Sequence, residues 1–137
     1  IGQQPLLLCA APSLLLARDK DDLSLYPHLT LLEQGKSQAW LLKNHEGETV
    51  YYLPDERLRM STMSAVYAAA LEGYGIAQLP RWLVSQDIAD NKLVELLPSA
   101  RSHNLPIYAV WLKTAAMPQR LRLAIDALKA AFESQLF

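Results

Sequence analysis

The chain has 137 residues, of which 51% are hydrophobic and 20% charged, and its net charge is −1. That length and balance describe a soluble globular protein with a real core, not a disordered tail. The charge is too close to neutral for this segment to hold a phosphate backbone by itself. The apolar runs LLLCAA and SLLLA are broken by Pro12 and Ser13 and stop at Arg18. None reaches the roughly 20 residues of a membrane helix. The single cysteine, Cys9, forbids an internal disulfide and fits a reducing, cytoplasmic setting.

In chain order, Pro5 to Ala11 is an apolar run between prolines and predicts a buried strand. Ser13 to Asp22 reads as a turn or short helical connection. His28 to Leu32 favours a strand, and Gln34 to Ser37 a polar loop. Trp40 to Lys43 and Glu48 to Leu53 flank Asn44-His45-Glu46-Gly47, the layout of a β-hairpin. Arg57 to Ser61 predicts a further strand. Ser61-Thr62 stands where an N-cap belongs, ahead of a helix over Met63 to Leu71. Gly73 is placed to end that helix with a left-handed residue. Gly75 to Leu79 reads as a strand stopped by Pro80, which makes a βαβ unit with parallel pairing. Arg81 to Ala89 predicts a helix, Lys92 to Leu97 a strand and Pro98 to Asn104 a linker. Pro106 to Leu112 reads as a strand, and Pro118 to Phe132 as a helix with the apolar stripe Leu121, Ile125, Leu128 and Phe132. The sum is α/β with a mixed sheet.

Catalytic and cofactor signatures are missing. No GxSxG, HExxH or P-loop occurs. Gly73-Tyr74-Gly75 follows a helix and precedes a strand, the reverse of a dinucleotide loop, and Gln78 takes the place of the third glycine. His28, His45 and His103 are dispersed without ligand spacing, so neither a metal nor another cofactor is expected. Cys9, inside an apolar run, reads as a buried inert thiol. With no converging acid, base and nucleophile, an enzyme is not expected.

The run EGYGIAQLPRWLV, Glu72 to Val84, resembles the signature of LysR-type transcriptional regulators. The longer stretch Arg57 to Pro98 is similar to the second lobe of that family's effector-binding domain. Gly73, Gly75, Ile76, Leu79 and Pro80 occupy the family's places. Gln78 departs from an apolar position and Tyr74 from a common leucine. PIYAVWL and MPQRLRLAIDALKAAF resemble the family's last strand and helix, and LLLCAAPSLL the strand running into the first hinge. The resemblance implies a periplasmic-binding-protein-like (type II) α/β effector domain with one full lobe and a remnant of the other. Residues 12–104 would form the second lobe, and 1–11 with 105–137 the remnant of the first. The winged helix-turn-helix that binds DNA would lie upstream. The start at Ile1, without methionine, fits a truncated chain whose last strand and helix lack partners, and a homo-oligomer is then expected.

In the same layout a small organic effector, of a class that includes anions, binds in the cleft between lobes. Ser61, Thr62, Met63 and Ser64 would face it from a helix N-terminus, whose free N–H groups favour an anion. The alternative is that Ser61 or Thr62 is only an N-cap. Gln34 and Ser37 would face the cleft after a strand, or else form a solvated turn. Ala11 falls at the implied first crossing, where many relatives carry a hydroxyl. The function implied is an effector-sensing regulatory domain. The alternative is a solute-binding protein of the same fold.

Overall fold

A computed structural model describes residues 1–16, 22–44, 46–55, 58–97, 103–113 and 115–134. The chain divides into two compact units, Pro5–His103 and a smaller one made of Ile1–Gln4 with Asn104–Phe137. The division falls between Gln4 and Pro5. The reason is the pairing of the first strand, which builds most of its length into the larger unit.

That strand, β1 (Gly2–Ala10), is longer than expected. Two 3-10 turns follow, at Pro12–Leu15 and Leu23–Leu25. Then come β2 (Leu29–Glu33), β3 (Lys36–Ser37), β4 (Trp40–Lys43), β5 (Thr49–Tyr52) and β6 (Leu58–Met60). Helix α1 (Met63–Leu71), β7 (Ala77–Pro80), helix α2 (Arg81–Ala89) and β8 (Val94–Glu95) complete the larger unit. β9 (His103–Ile107) and helix α3 (Gln119–Glu133) close the described chain.

In the sheet, β1 lies between β7 and β8 and is antiparallel to both, with Leu6 opposite Pro80 and Cys9 opposite Ala77 and Glu95. β2 runs parallel to β6, with Leu31 opposite Met60. A single parallel bridge, His28 to Ile76, joins β2 to the start of β7, where the Leu29 N–H donates to the Ile76 carbonyl at 2.8 Å. The strands on either side of α1 are therefore parallel, as the βαβ reading requires, but β2 stands between them and they do not pair directly.

Alternation along β1 and β7 sorts the core into two clusters. Leu7, Cys9, Ala77 and Leu79 join Val66 and Ala70 of α1 and Val84 of α2. Leu8, Ala10 and Ile76 join Leu23, Tyr26, Trp40 and Leu42 on the other face. The larger unit is thus layered, with helices on one side of the sheet and the β4–β5 hairpin with a 3-10 turn on the other.

Gly73 and Gly75 are required by their places. Gly73 has φ +81° at the end of α1. Its N–H donates to Ala70 and that of Tyr74 to Ala69, both at 3.1 Å, which is a Schellman closure. A Cβ on Gly75 would stand 2.7 Å from the Pro27 carbonyl oxygen. Asn91, with φ +58°, closes α2 in the same way through Lys92 N–H to the Asp87 carbonyl at 2.8 Å.

Three expectations shift. The loop Gln34 to Ser37 is a two-residue turn, Gln34 (φ 52°) and Gly35 (φ 78°), with Lys36 and Ser37 already paired back onto β2. Both central residues are left-handed, the twist that a tight hairpin needs. The strand expected over Lys92 to Leu97 shortens to Val94–Glu95. The strand expected over Pro106 to Leu112 instead covers His103–Ile107. Val110 and Leu112 are exposed and have no strand partner among the described residues. Apolar content alone does not make a strand without a ladder to join. Most of the expected linker, 98–102, lies outside the described residues.

In the smaller unit the Ile1 ammonium donates to the Ile107 carbonyl at 2.7 Å, and the Phe132 ring sits against Gly2. Helix α3 buries none of its residues fully. Leu121, Ile125 and Phe132 of its stripe are half-buried, and Leu128 is exposed.

Candidate functional site

Thr62 caps α1, its Oγ1 accepting from the Ala65 N–H at 3.2 Å. Its carbonyl accepts from the Val66 N–H. Among the described residues, nothing accepts from the Met63 and Ser64 N–H groups. Ser61 through Ala65 are all exposed. A short β6 feeding directly into the cap leaves this helix start open to water.

The register of β2 with β6 decides what lies beside it. Leu31 is opposite Met60, so the Gln34–Gly35 turn and Ser61–Thr62 emerge from the same, C-terminal edge of two parallel strands. This is the edge at which open α/β sheets bind ligands. Ser37 is half-buried behind the turn. Its hydroxyl lies 3.5 Å from that of Thr30, which also reaches the Leu58 carbonyl at 3.2 Å. Thr30 is completely buried, so β2, β3 and β6 hold a small polar knot just below this edge.

Ala11 is elsewhere. Cys9 pairs with Ala77, which carries Ala11 past the start of β7, to the opposite end of the sheet. It is buried, and its Cβ is 3.8 Å from where a side chain on Gly73 would begin. With β2 running between the two ends, the separation is on the order of 15 Å. Of the residues singled out, Ser61, Thr62, Met63, Ser64, Gln34 and Ser37 come to one edge, and Ala11 does not. Its expected place at the first crossing rests on the family resemblance. Leu6, near the other end of β1, faces Pro80 and so lies on the same edge of the sheet as Thr62.

Two polar residues with structural weight were not singled out as such. Gln78 spans Leu41 with both halves of its amide: Nε2 donates to the Leu41 carbonyl at 2.8 Å and Oε1 accepts from the Leu41 N–H at 3.2 Å. The family departure at Gln78 thus anchors the hairpin. His28, buried at the bridge, accepts the Asp55 N–H at Nδ1 (2.7 Å), so its Nε2, 2.7 Å from the Leu23 carbonyl, carries the proton. Trp40 and Tyr52 stack at 5.6 Å beside it. The signal available in the sequence was a polar residue within an apolar strand for Gln78 and one just ahead of such a strand for His28.

Burial pushes the Cys9 thiol up to about 12, and the nearby Glu95 and Asp87 carboxylates add to this. Such a thiol is neither nucleophile nor ready ligand. Among the described residues no group of three or more His, Cys, Asp or Glu side chains could hold a metal, and no helix is long and apolar enough to cross a membrane.

The family description of the LysR substrate binding domain matches residues 1–133. The chain belongs to the LysR substrate-binding domain family. The transcriptional regulator PtxR of Pseudomonas aeruginosa is 40% identical over 73 residues, covering 53% of this chain and 23% of its own length. The regulator DmlR of Escherichia coli is 28% identical over 131 residues, covering 92% and 42%. The regulatory domain of AphB from Vibrio vulnificus superposes with a TM-score of 0.71 at 30% identity, covering 95% of this chain and 66% of that one. The chain therefore spans less than half the length of these two regulators. Its α/β fold is that of LysR regulatory domains, of the periplasmic-binding-protein-like type II class. These relatives are transcriptional regulators, and none of them supports the solute-binding alternative.

Proposed function

We propose that this chain is the effector-sensing part of a LysR-type transcriptional regulator. In this reading a small organic anion binds where Ser61, Thr62, Met63 and Ser64 open helix α1, with Gln34 and Ser37 beside it. What supports it is the parallel register of β2 and β6, which brings the turn and the open helix start to one edge. The Met63 and Ser64 N–H groups and the positive end of the helix favour a carboxylate, and the hydroxyls of Ser61 and Ser64 add adaptable donors. DNA contact belongs to an upstream winged helix-turn-helix, the whole regulator is a cytoplasmic homo-oligomer, and this part carries no catalytic role. Occupancy alters transcription only if the ligand prefers one conformational state of the regulator over another.

Calorimetry against a panel of metabolic carboxylates tests the site. A carboxylate that binds is expected to lose about fivefold in affinity in Ser64→Ala and in Thr62→Ala, the size of one hydrogen bond. Thr62→Ala also removes the helix cap, at about 1 kcal/mol, so thermal unfolding is recorded alongside. Unchanged affinity in both variants would move the site elsewhere.

A further inference from the structure

On the hairpin side of the sheet lies an open groove of about 390 Å³ that the effector reading does not use. Leu23, Leu42 and Leu97, all buried, form its floor. Its wall comes from β5. Val50 is the cross-strand partner of Leu42, and Tyr52 is held by its stack on Trp40 and an edge contact to His28. Tyr51, 74% exposed, stands at the mouth, and Val50 is partly open to water.

Among the described residues that line the groove, the charged group is the Asp22 carboxylate. Asp22 and Ser24 line its mouth. Asp22 Oδ1 accepts from the Ser24 N–H at 3.1 Å and from its hydroxyl at 2.5 Å, which fixes the carboxylate in place. Its field reaches inward. The Tyr52 phenol is pushed up, first by burial and then by the Asp22 charge. Apolar floor, aromatic wall and a fixed carboxylate at the rim suit a molecule with an apolar body and a positive head.

We propose that this groove is a second small-molecule site, specific for an organic ammonium ion with an aromatic or alkyl body, with Asp22 taking the charge and Val50 and Tyr52, which share the groove-facing side of β5, the body. It is opposite in charge preference to the edge beside Thr62. It also stands independently of that reading, because the two share no residue.

Amide-resolved NMR titration of the whole chain provides the test, with 2-phenylethylammonium, 2-phenylethanol and phenylacetate as probes. The ammonium ion is expected to shift amides of Leu23, Ser24, Leu42, Tyr51 and Tyr52 in a saturable way. Phenylacetate should leave them still, and the alcohol should bind at least fivefold more weakly, about the worth of one exposed ionic contact. Asp22→Asn keeps an oxygen for the Ser24 cap and removes the charge, so it should lower ammonium affinity by a similar factor without unfolding the turn. Val50→Ala, at a position 44% exposed, should weaken all binding there. Absence of saturable shifts at these amides, equal binding of phenylacetate, or an unchanged affinity in Asp22→Asn would each overturn the proposal.

Discussion

The two faces of the sheet in Pro5–His103 are covered by different means. On the helix face, Leu79, Val84, Ala70 and Cys9 are sealed by two helices, and the contacts are almost wholly apolar. Among the described residues, Tyr67 Oη donates to Asp87 between α1 and α2 and supplements them. On the hairpin face the cover is a ribbon of two four-residue strands and a 3-10 turn. It adds polar anchors to Trp40 and Leu42: the Gln78 amide across Leu41 and the His28 ring between Leu23 and Asp55. A two-stranded ribbon is marginal by itself. The comparison teaches that a short cover needs directional bonds where a helix pair can rely on area.

The largest expected effect is on the helix face. Leu79→Ala removes a side chain that is 1% exposed and leaves a cavity between both helices and the sheet. A loss of about 3 kcal/mol is expected, read as a lower urea midpoint for the whole unit. Gln78→Leu is expected to cost about 2 kcal/mol, because the Leu41 N–H and carbonyl lose their partner. Its signature differs. Amides of β4 and β5 should exchange faster with deuterium while those of α1 and α2 stay protected. Uniform loss of protection across both faces would show that the faces do not differ in this way.

The smallest effect concerns pH. The Cys9 thiol is pushed from 9.0 to about 12 by burial. Between those values the unfolded chain gives up its proton and the folded chain keeps it, so stability is full below pH 9 and falls as pH rises towards 12. At pH 9.5 the loss should be below about 1 kcal/mol, and Cys9→Ala should flatten that part of the profile. An equally steep alkaline slope in Cys9→Ala would assign the effect to other groups.

Much of this was legible in the residues. Gly73, Gly75 and Pro80 announced the end of α1 and the bounds of β7, because each answers a local steric demand. Thr62 was placed at its cap for the same reason. Long-range register was not legible. That β2 separates β6 from the start of β7 rests on one bridge at His28, and nothing near either strand in the sequence encodes it. Ala11 shows the same thing: the resemblance suggested a crossing there, but which end of the sheet it reaches depends on the register of β1 with β7. Residues 108 to 112 look like a strand by composition, yet a strand is defined by its neighbour. The Gln34–Gly35 turn shows an intermediate case, where the turn residues were visible but their tightness depended on pairing with β2.

Gln78 has one more consequence. Leu41 presents its N–H and carbonyl on the outer edge of β4, where another strand could otherwise add, and the Gln78 amide occupies both. A side-chain amide has the donor and acceptor of a peptide group, so it imitates one residue of a neighbouring strand and can go no further. It acts as a stopper: the ribbon is closed on that margin against swapping or stacking with another copy, and any growth by strand addition is left to the β5 margin.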